Sequence, residues 1–229
     1  MKESKQYSDN LSKFWKKVKP KTTIETPKYA DPCDAMVFAV LLEKFGTAKA
    51  EKYIKKFSSN FVDWNDVRVS RDEEIIEVLG GESELNDYVA ANMRNSLQAV
   101  FERNDCLELN YIIEFGKRKA FEELEKLKVL TDFVLNYIML VCLDAHSIPV
   151  NEKMAEFLKA NEIVHEESTI EDIKSFLERQ IPATQNYQFF ATIIELSEKG
   201  LCAVAKSKNM VKKVLKEKTA GKTTKKKSN

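Results

Sequence analysis

Residues 124–151, LEKLKVLTDFVLNYIMLVCLDAHSIPVN, constrain this chain more than any other stretch. Between positions 133 and 143 only Asn136 and the hydroxyl of Tyr137 interrupt an apolar run. A helix that is apolar on every side must be surrounded by other elements, so the run predicts the central helix of a folded domain. A membrane span takes roughly 20 apolar residues, about twice this length, so burial in protein is the reading and no membrane partner is expected. A short polar loop with Pro149 follows, and then a new amphipathic helix.

The remaining sequence reads as helices in series. Asp31-Pro32 supplies an N-cap and a first-turn proline for a helix that carries the apolar run 35–42 and ends at Gly46. Thr47 is expected to cap a helix over 48–57, with Ala50, Tyr53, Ile54 and Phe57 on one face. Residues 61–70, FVDWNDVRVS, read as extended. Ser70 and Glu73 form a capping-box pattern for a helix through Leu79, closed by Gly80-Gly81. Further helices are expected from 83 or 84 to 104, briefly within 105–115, and over 118–127, 151–160, 170–180 and 185–197. No period-two pattern persists, and six Gly and five Pro are few for this length. The predicted class is all-α: a two-lobed helical bundle of about ten helices with flexible basic termini.

Charge divides the chain. Residues 1–28 hold eight Lys against three acids, and residues 206–229 hold ten Lys against one Glu. Since the whole chain is only +1, residues 29–205 carry −13. The organisation read from this is a basic N-terminal arm over 1–28, a helical domain over 29–205 and a disordered Lys-rich tail over 206–229. Within the arm, residues 10–18 have a short helical pattern, with Leu11, Phe14, Trp15 and Val18 able to dock on the body. Basic arms on an acidic body point to a polyanionic partner. The N-terminus lacks the apolar segment of a signal peptide, so an intracellular protein is expected, cytoplasmic and nucleoid-associated or nuclear. Cys33, Cys106, Cys142 and Cys202 are scattered, without a CxxC pair that would suggest zinc or a local disulfide framework.

Over residues 29 to 202 the order of elements resembles the endonuclease III-like, helix-hairpin-helix DNA glycosylases. The anchors are DPCDAMVFAVLLEKF, NFVDWNDVRVSRDEEIIEVLG and the stretch 124–151. In that family a hairpin LPGVGxKTA precedes a buried helix, and a V-D pair follows a proline-containing loop. Here LKVLTDFVL stands in place of the hairpin, and Pro149-Val150-Asn151 in place of the loop and aspartate. The spacing from Phe133 to Asn151 matches the family's spacing from catalytic lysine to catalytic aspartate. The resemblance therefore implies a base-excision-repair-like, DNA-binding protein whose two reaction positions hold a phenyl ring and an amide.

The family's chemistry needs a carboxylate near the sugar and, for strand cleavage, a lysine amine that forms a Schiff base. Phe133 and Asn151 supply neither, so standard glycosylase and lyase activity is expected to be lost. Displaced groups, Lys128 as amine and Glu152 as carboxylate, leave an active enzyme as the alternative. Val129 and Thr131 replace the hairpin glycines, which predicts an altered phosphate-binding turn with Lys128 and Thr131 as its remaining polar contacts. Cys202 matches at most the first of the family's four cluster cysteines, so no iron–sulfur cluster is expected. Two isolated histidines, His146 and His165, make no metal site. Trp64 either stacks on a base or anchors its loop on the core, and Arg68 and Arg71 are expected to pair with Asp63, Asp66 or Asp72. The tail lysines Lys212, Lys213, Lys222, Lys225, Lys226 and Lys227 are the expected contacts to double-stranded DNA, weak and non-specific, by counterion release. A non-catalytic scaffold for a protein partner is the remaining reading.

Overall fold

The computed structural model describes residues 4–200, and no strand occurs among them. The helices are α1 (Ser4–Val18), α2 (Pro32–Phe45), α3 (Thr47–Asn60), α4 (Trp64–Val69), α5 (Asp72–Leu79) and α6 (Glu84–Asn104). They continue as α7 (Tyr111–Glu114), α8 (Gly116–Glu125), α9 (Asp132–Cys142), α10 (Glu152–Ala160) and α11 (Ile170–Gln180). A 3₁₀ turn, Ala183–Gln185, leads into α12, residues 186–200. The expected all-α class holds.

The apolar run behaves as its pattern requires. Every residue of α9 from Phe133 to Leu140 is buried, with Asn136 the one strongly polar member. Its amide donates to the Asp132 carbonyl at 2.7 Å and its carbonyl accepts from Ser147 Oγ at 2.5 Å, so the polar group is satisfied. Each large apolar side chain buried on this helix contributes about 1.5–3 kcal/mol. α9 packs on α2, whose own buried face includes Ala35, Met36, Val37, Ala39, Val40, Leu41 and Leu42. Around this pair α3, α5, α6 and α8 complete one lobe.

The second lobe joins the two ends of the described chain. Trp15 of α1 meets Phe189 of α12 edge to face at 5.1 Å, and Phe14 meets Phe157 of α10 at 6.0 Å. Polar contacts tie α1 further: Trp15 Nε1 donates to Gln185 at 3.0 Å and Ser8 Oγ to Gln180 at 2.6 Å. The helix pattern read at 10–18 extends over Ser4–Val18, and burial of Leu11 and Trp15 fixes it against α10–α12.

Caps set the boundaries. Asp31 Oδ1 accepts from Cys33 N at 2.7 Å, and the same carboxylate accepts from Leu109 N, so it starts α2 and pins the segment before α7. α2 stops at Gly46, whose φ of 83° and ψ of 170° suit glycine alone. A Cβ there would lie 2.8 Å from Glu198 Cδ. Glu198 comes from α12 and accepts from both Thr47 N (2.8 Å) and Thr47 Oγ1 (3.0 Å), so Thr47 is the first residue of α3 and its cap arrives from the other lobe.

Three local expectations are corrected. Residues 61–70 are not extended: Asp63 accepts from Asp66 N at 2.9 Å and nucleates α4, a helix of six residues, too short for periodicity to reveal. Ser70 does not cap α5 but donates its hydroxyl to the Asp66 carbonyl, while Arg71 N donates to Glu74. Arg68 pairs with neither Asp63, Asp66 nor Asp72; it bonds Asn65 and Gln98 and stacks 3.9 Å from the Phe101 ring centroid. Arg71 pairs with Glu74, and Asp72 with Arg94.

Candidate functional site at the junction of the lobes

The hairpin position lies between α8 and α9. Three of its amides bond within the turn: Leu127 N donates to Leu124 O at 3.1 Å, Lys128 N to Glu125 O at 3.1 Å and Val129 N to Leu127 O at 2.5 Å. Lys128 takes the left-handed conformation, φ 50°, with its side chain exposed. The amides of Leu127, Lys128 and Val129 are therefore engaged by the turn itself. Asp132, in the first turn of α9, adds a negative charge beside it. Lys174 of α11 answers that charge at 3.1 Å while also meeting Glu171 at 3.0 Å. Partial burial alone lowers the Lys174 pKa, but its bonds to Glu171 and Asp132 outweigh this and raise it.

Thr131 and Asn151 converge on one residue that the sequence did not single out. Thr131 caps α9, accepting from Val134 N at 3.2 Å, and donates its hydroxyl to Glu43 Oε2 at 2.7 Å. Asn151 caps α10, accepting from Met154 N at 2.9 Å, and donates its amide to the Glu43 carbonyl at 3.2 Å. Lys153 Nζ donates to the next carbonyl, Lys44 O, at 3.3 Å. Both carbonyls belong to the last turn of α2, where intrahelical partners run out. The start of α10 thus caps the end of α2 with an amide and an ammonium, the sign a helix C-terminus favours. Glu43 keeps 12% of its side chain exposed and has Lys44 Nζ 3.3 Å away; that ammonium also lies 5.1 Å from the Tyr88 ring centroid. A carboxylate and an amine side by side are able, as groups, to move a proton or attack an aldehyde. In sequence Glu43 is marked only as the first charge after the apolar run 35–42.

Phe133 does not face this cluster. It is 3% exposed and packs against Phe190 of α12, with ring centroids 6.1 Å apart. Asn151 is 6% exposed. Lys128 and Glu152 are both exposed, and no contact joins either of them to Glu43. Lys212, Lys213, Lys222, Lys225, Lys226 and Lys227 lie outside the described residues. His146 bonds the Ile181 carbonyl at 2.9 Å, and His165 Nδ1 accepts from Glu167 N. Among the described residues no group of three His, Cys, Asp or Glu is arranged to hold a metal ion, and no helix is long and apolar enough to cross a membrane. Trp64 is an anchor, donating its indole N–H to Asp34 Oδ1 at 2.7 Å.

No family model matches the sequence, and no curated protein matches it. Solved structures do resemble it. A trapped endonuclease III–DNA covalent intermediate, in an estranged-adenine complex, superposes with a TM-score of 0.60 at 15% identity, covering 85% of this chain and 84% of that one. A non-covalent endonuclease III–DNA complex gives 0.62 at 17%, covering 84% and 85%. A thermostable thymine-DNA glycosylase gives 0.56 at 15%, covering 86% of each. At these identities the likeness establishes the fold: the chain has the endonuclease III-like, helix-hairpin-helix architecture in a divergent form.

Proposed function

We propose that this protein binds double-stranded DNA weakly and without sequence preference, chiefly through its lysine-rich segments, and lacks the standard glycosylase and abasic-site lyase reactions. The observation that carries the second half is the fate of the two reaction positions. Phe133 is packed away against Phe190, and the Asn151 amide is engaged in joining α10 to α2. The first half is supported by two of the similar structures being DNA complexes and by the charge of 206–229, ten Lys against one Glu. The engaged amides of Leu127, Lys128 and Val129, and the negative charge of Asp132, favour the basic segments over the hairpin as the main contact. The proposal includes no iron–sulfur cluster, because one cysteine, Cys202, stands where four thiolates are needed. Its place of action is wherever the cell's DNA lies, nucleoid or nucleus.

Glu43 beside Lys44 favours one second reading, a base-excision enzyme with displaced groups. Incubating the full chain with abasic and damaged duplexes, with borohydride added to trap an imine, separates the two. No scission and no adduct is the expected result. Scission or trapping that Glu43→Gln and Lys44→Ala abolish would establish the second reading instead. DNA affinity is expected to fall steeply with salt and to vanish on deletion of 206–229. Salt-insensitive binding to a protein, with none to DNA, would make the molecule a scaffold.

A further inference from the structure

The start of α2, the end of α3 and the start of α4 line a half-open cavity of about 480 Å³. Five aromatic rings line it, among them Phe38, Phe57, Phe61 and Trp64, together with the carboxylates of Asp34 and Asp63. No lysine, arginine or histidine contributes to the lining. Phe57 and Phe61 stack with centroids 5.7 Å apart, and Trp64 lies 6.3 Å from Phe57, its indole held by Asp34. The cavity is remote from Glu43: Asp34 and Glu43 stand nine residues apart on α2, about 13 Å along its axis.

The charges in this cavity are not neutralised. Asp34 accepts from the Trp64 indole N–H and from Asp31 N, and Asp63 from the Asp66 amide, all of them neutral donors. Neither takes part in an ion pair among the described residues. Ring faces are electron-rich, and a concave wall of them attracts a cation that sheds part of its water. Two carboxylates without counter-ions add to that attraction and disfavour a phosphate-bearing occupant. Val62, 92% exposed beside this wall, offers an apolar surface for the alkyl part of a ligand.

We propose that this cavity binds an alkylated ammonium group, its methyls against the rings and its charge toward Asp34 and Asp63. A weakly hydrated organic cation fits better than a metal ion, because the wall is mainly aromatic and supplies few oxygens. The site is independent of the DNA reading above.

Fluorescence tests it directly. The chain has two tryptophans, and the other, Trp15, is 8% exposed and bonded to Gln185, so ligand quenching reports Trp64. The full chain is titrated with choline and with 3,3-dimethylbutanol, its neutral isostere, and with a trimethyl-lysine peptide to separate a free ligand from a side chain. Saturable quenching by the cations is expected, with the neutral isostere roughly tenfold weaker. Asp63→Asn retains an α4 cap and Asp34→Asn retains an acceptor for Trp64. Each is expected to weaken the cations several-fold, leave the isostere unchanged and melt within a few degrees of the parent. Equal binding of cation and isostere, no saturable quenching, or cation binding untouched by both variants would overturn the proposal.

Discussion

Replacing Asn151 by Asp puts a carboxylate where the proposed resemblance to endonuclease III-like proteins would place one, yet the structure argues that it damages the protein. The carboxylate keeps the bond from Met154 N and adds a negative charge at the start of α10, worth about 0.3–1 kcal/mol. On the other side, the amide that donates to Glu43 O at 3.2 Å becomes a second acceptor, 6% exposed. The lost bond and the unsatisfied carbonyl together cost about 2–4 kcal/mol. The net expectation is a loss of about 2 kcal/mol at pH 8, a fall in Tm of about 4–8 °C for a chain of this size. Protonation gives the new acid a hydrogen to donate to Glu43 O, so its folded-state pKa is raised and its defect shrinks as pH drops toward 5. Urea unfolding at pH 5 and pH 8, run beside abasic-duplex cleavage, measures both. An Asn151→Asp protein as stable as the parent at pH 8, or one that gains strand scission, refutes the capping argument.

Two further expectations rest on the same geometry. Gly46→Ala forces a side chain onto a φ of 83° and to within 2.8 Å of Glu198, and should cost about 3 kcal/mol in urea unfolding; a loss under 1 kcal/mol would show that Glu198 yields freely. Burial raises the Glu178 pKa above its ordinary 4.5 despite the bond from Ile148 N. Its contribution is therefore fully present below about pH 4.5 and lost as pH rises through the folded value. Glu178→Gln, which keeps the acceptor, should remove that part of the pH dependence and match or exceed the parent at pH 7; parallel stability profiles would contradict this.

The long elements could be read because their causes are local. α9 has a continuous apolar run, α2 an Asp-Pro start, and α11 a Thr169 cap with Asp172 closing the box. α4 escaped because its cause is a single Asp63 bond within a turn and a half. The cap of α3 escaped because Glu198 lies 151 positions away. The candidate cluster divides in the same way. Phe133 and Asn151 are singled out by their spacing, but the structure packs Phe133 against Phe190 and sets Asn151 on the Glu43 carbonyl. Glu43 is not singled out, since its partners Thr131 and Asn151 stand 88 and 108 positions off and only packing brings them to it. Nor could spacing say that Phe133 turns toward α12, which depends on where Phe190 arrives.

The helix at the start of the chain has a consequence for assembly during synthesis. α1 rests on Gln180, Gln185 and Phe189, partners that emerge from the ribosome some 170 residues later. Residues 32–142 hold a lobe whose partners are all nearer and able to condense first. Leu11 and Trp15 must wait as exposed apolar surface until α12 is made. Any nascent chain stalled before residue 189 carries that unsatisfied face, and chaperone capture of such stalled chains should centre on it.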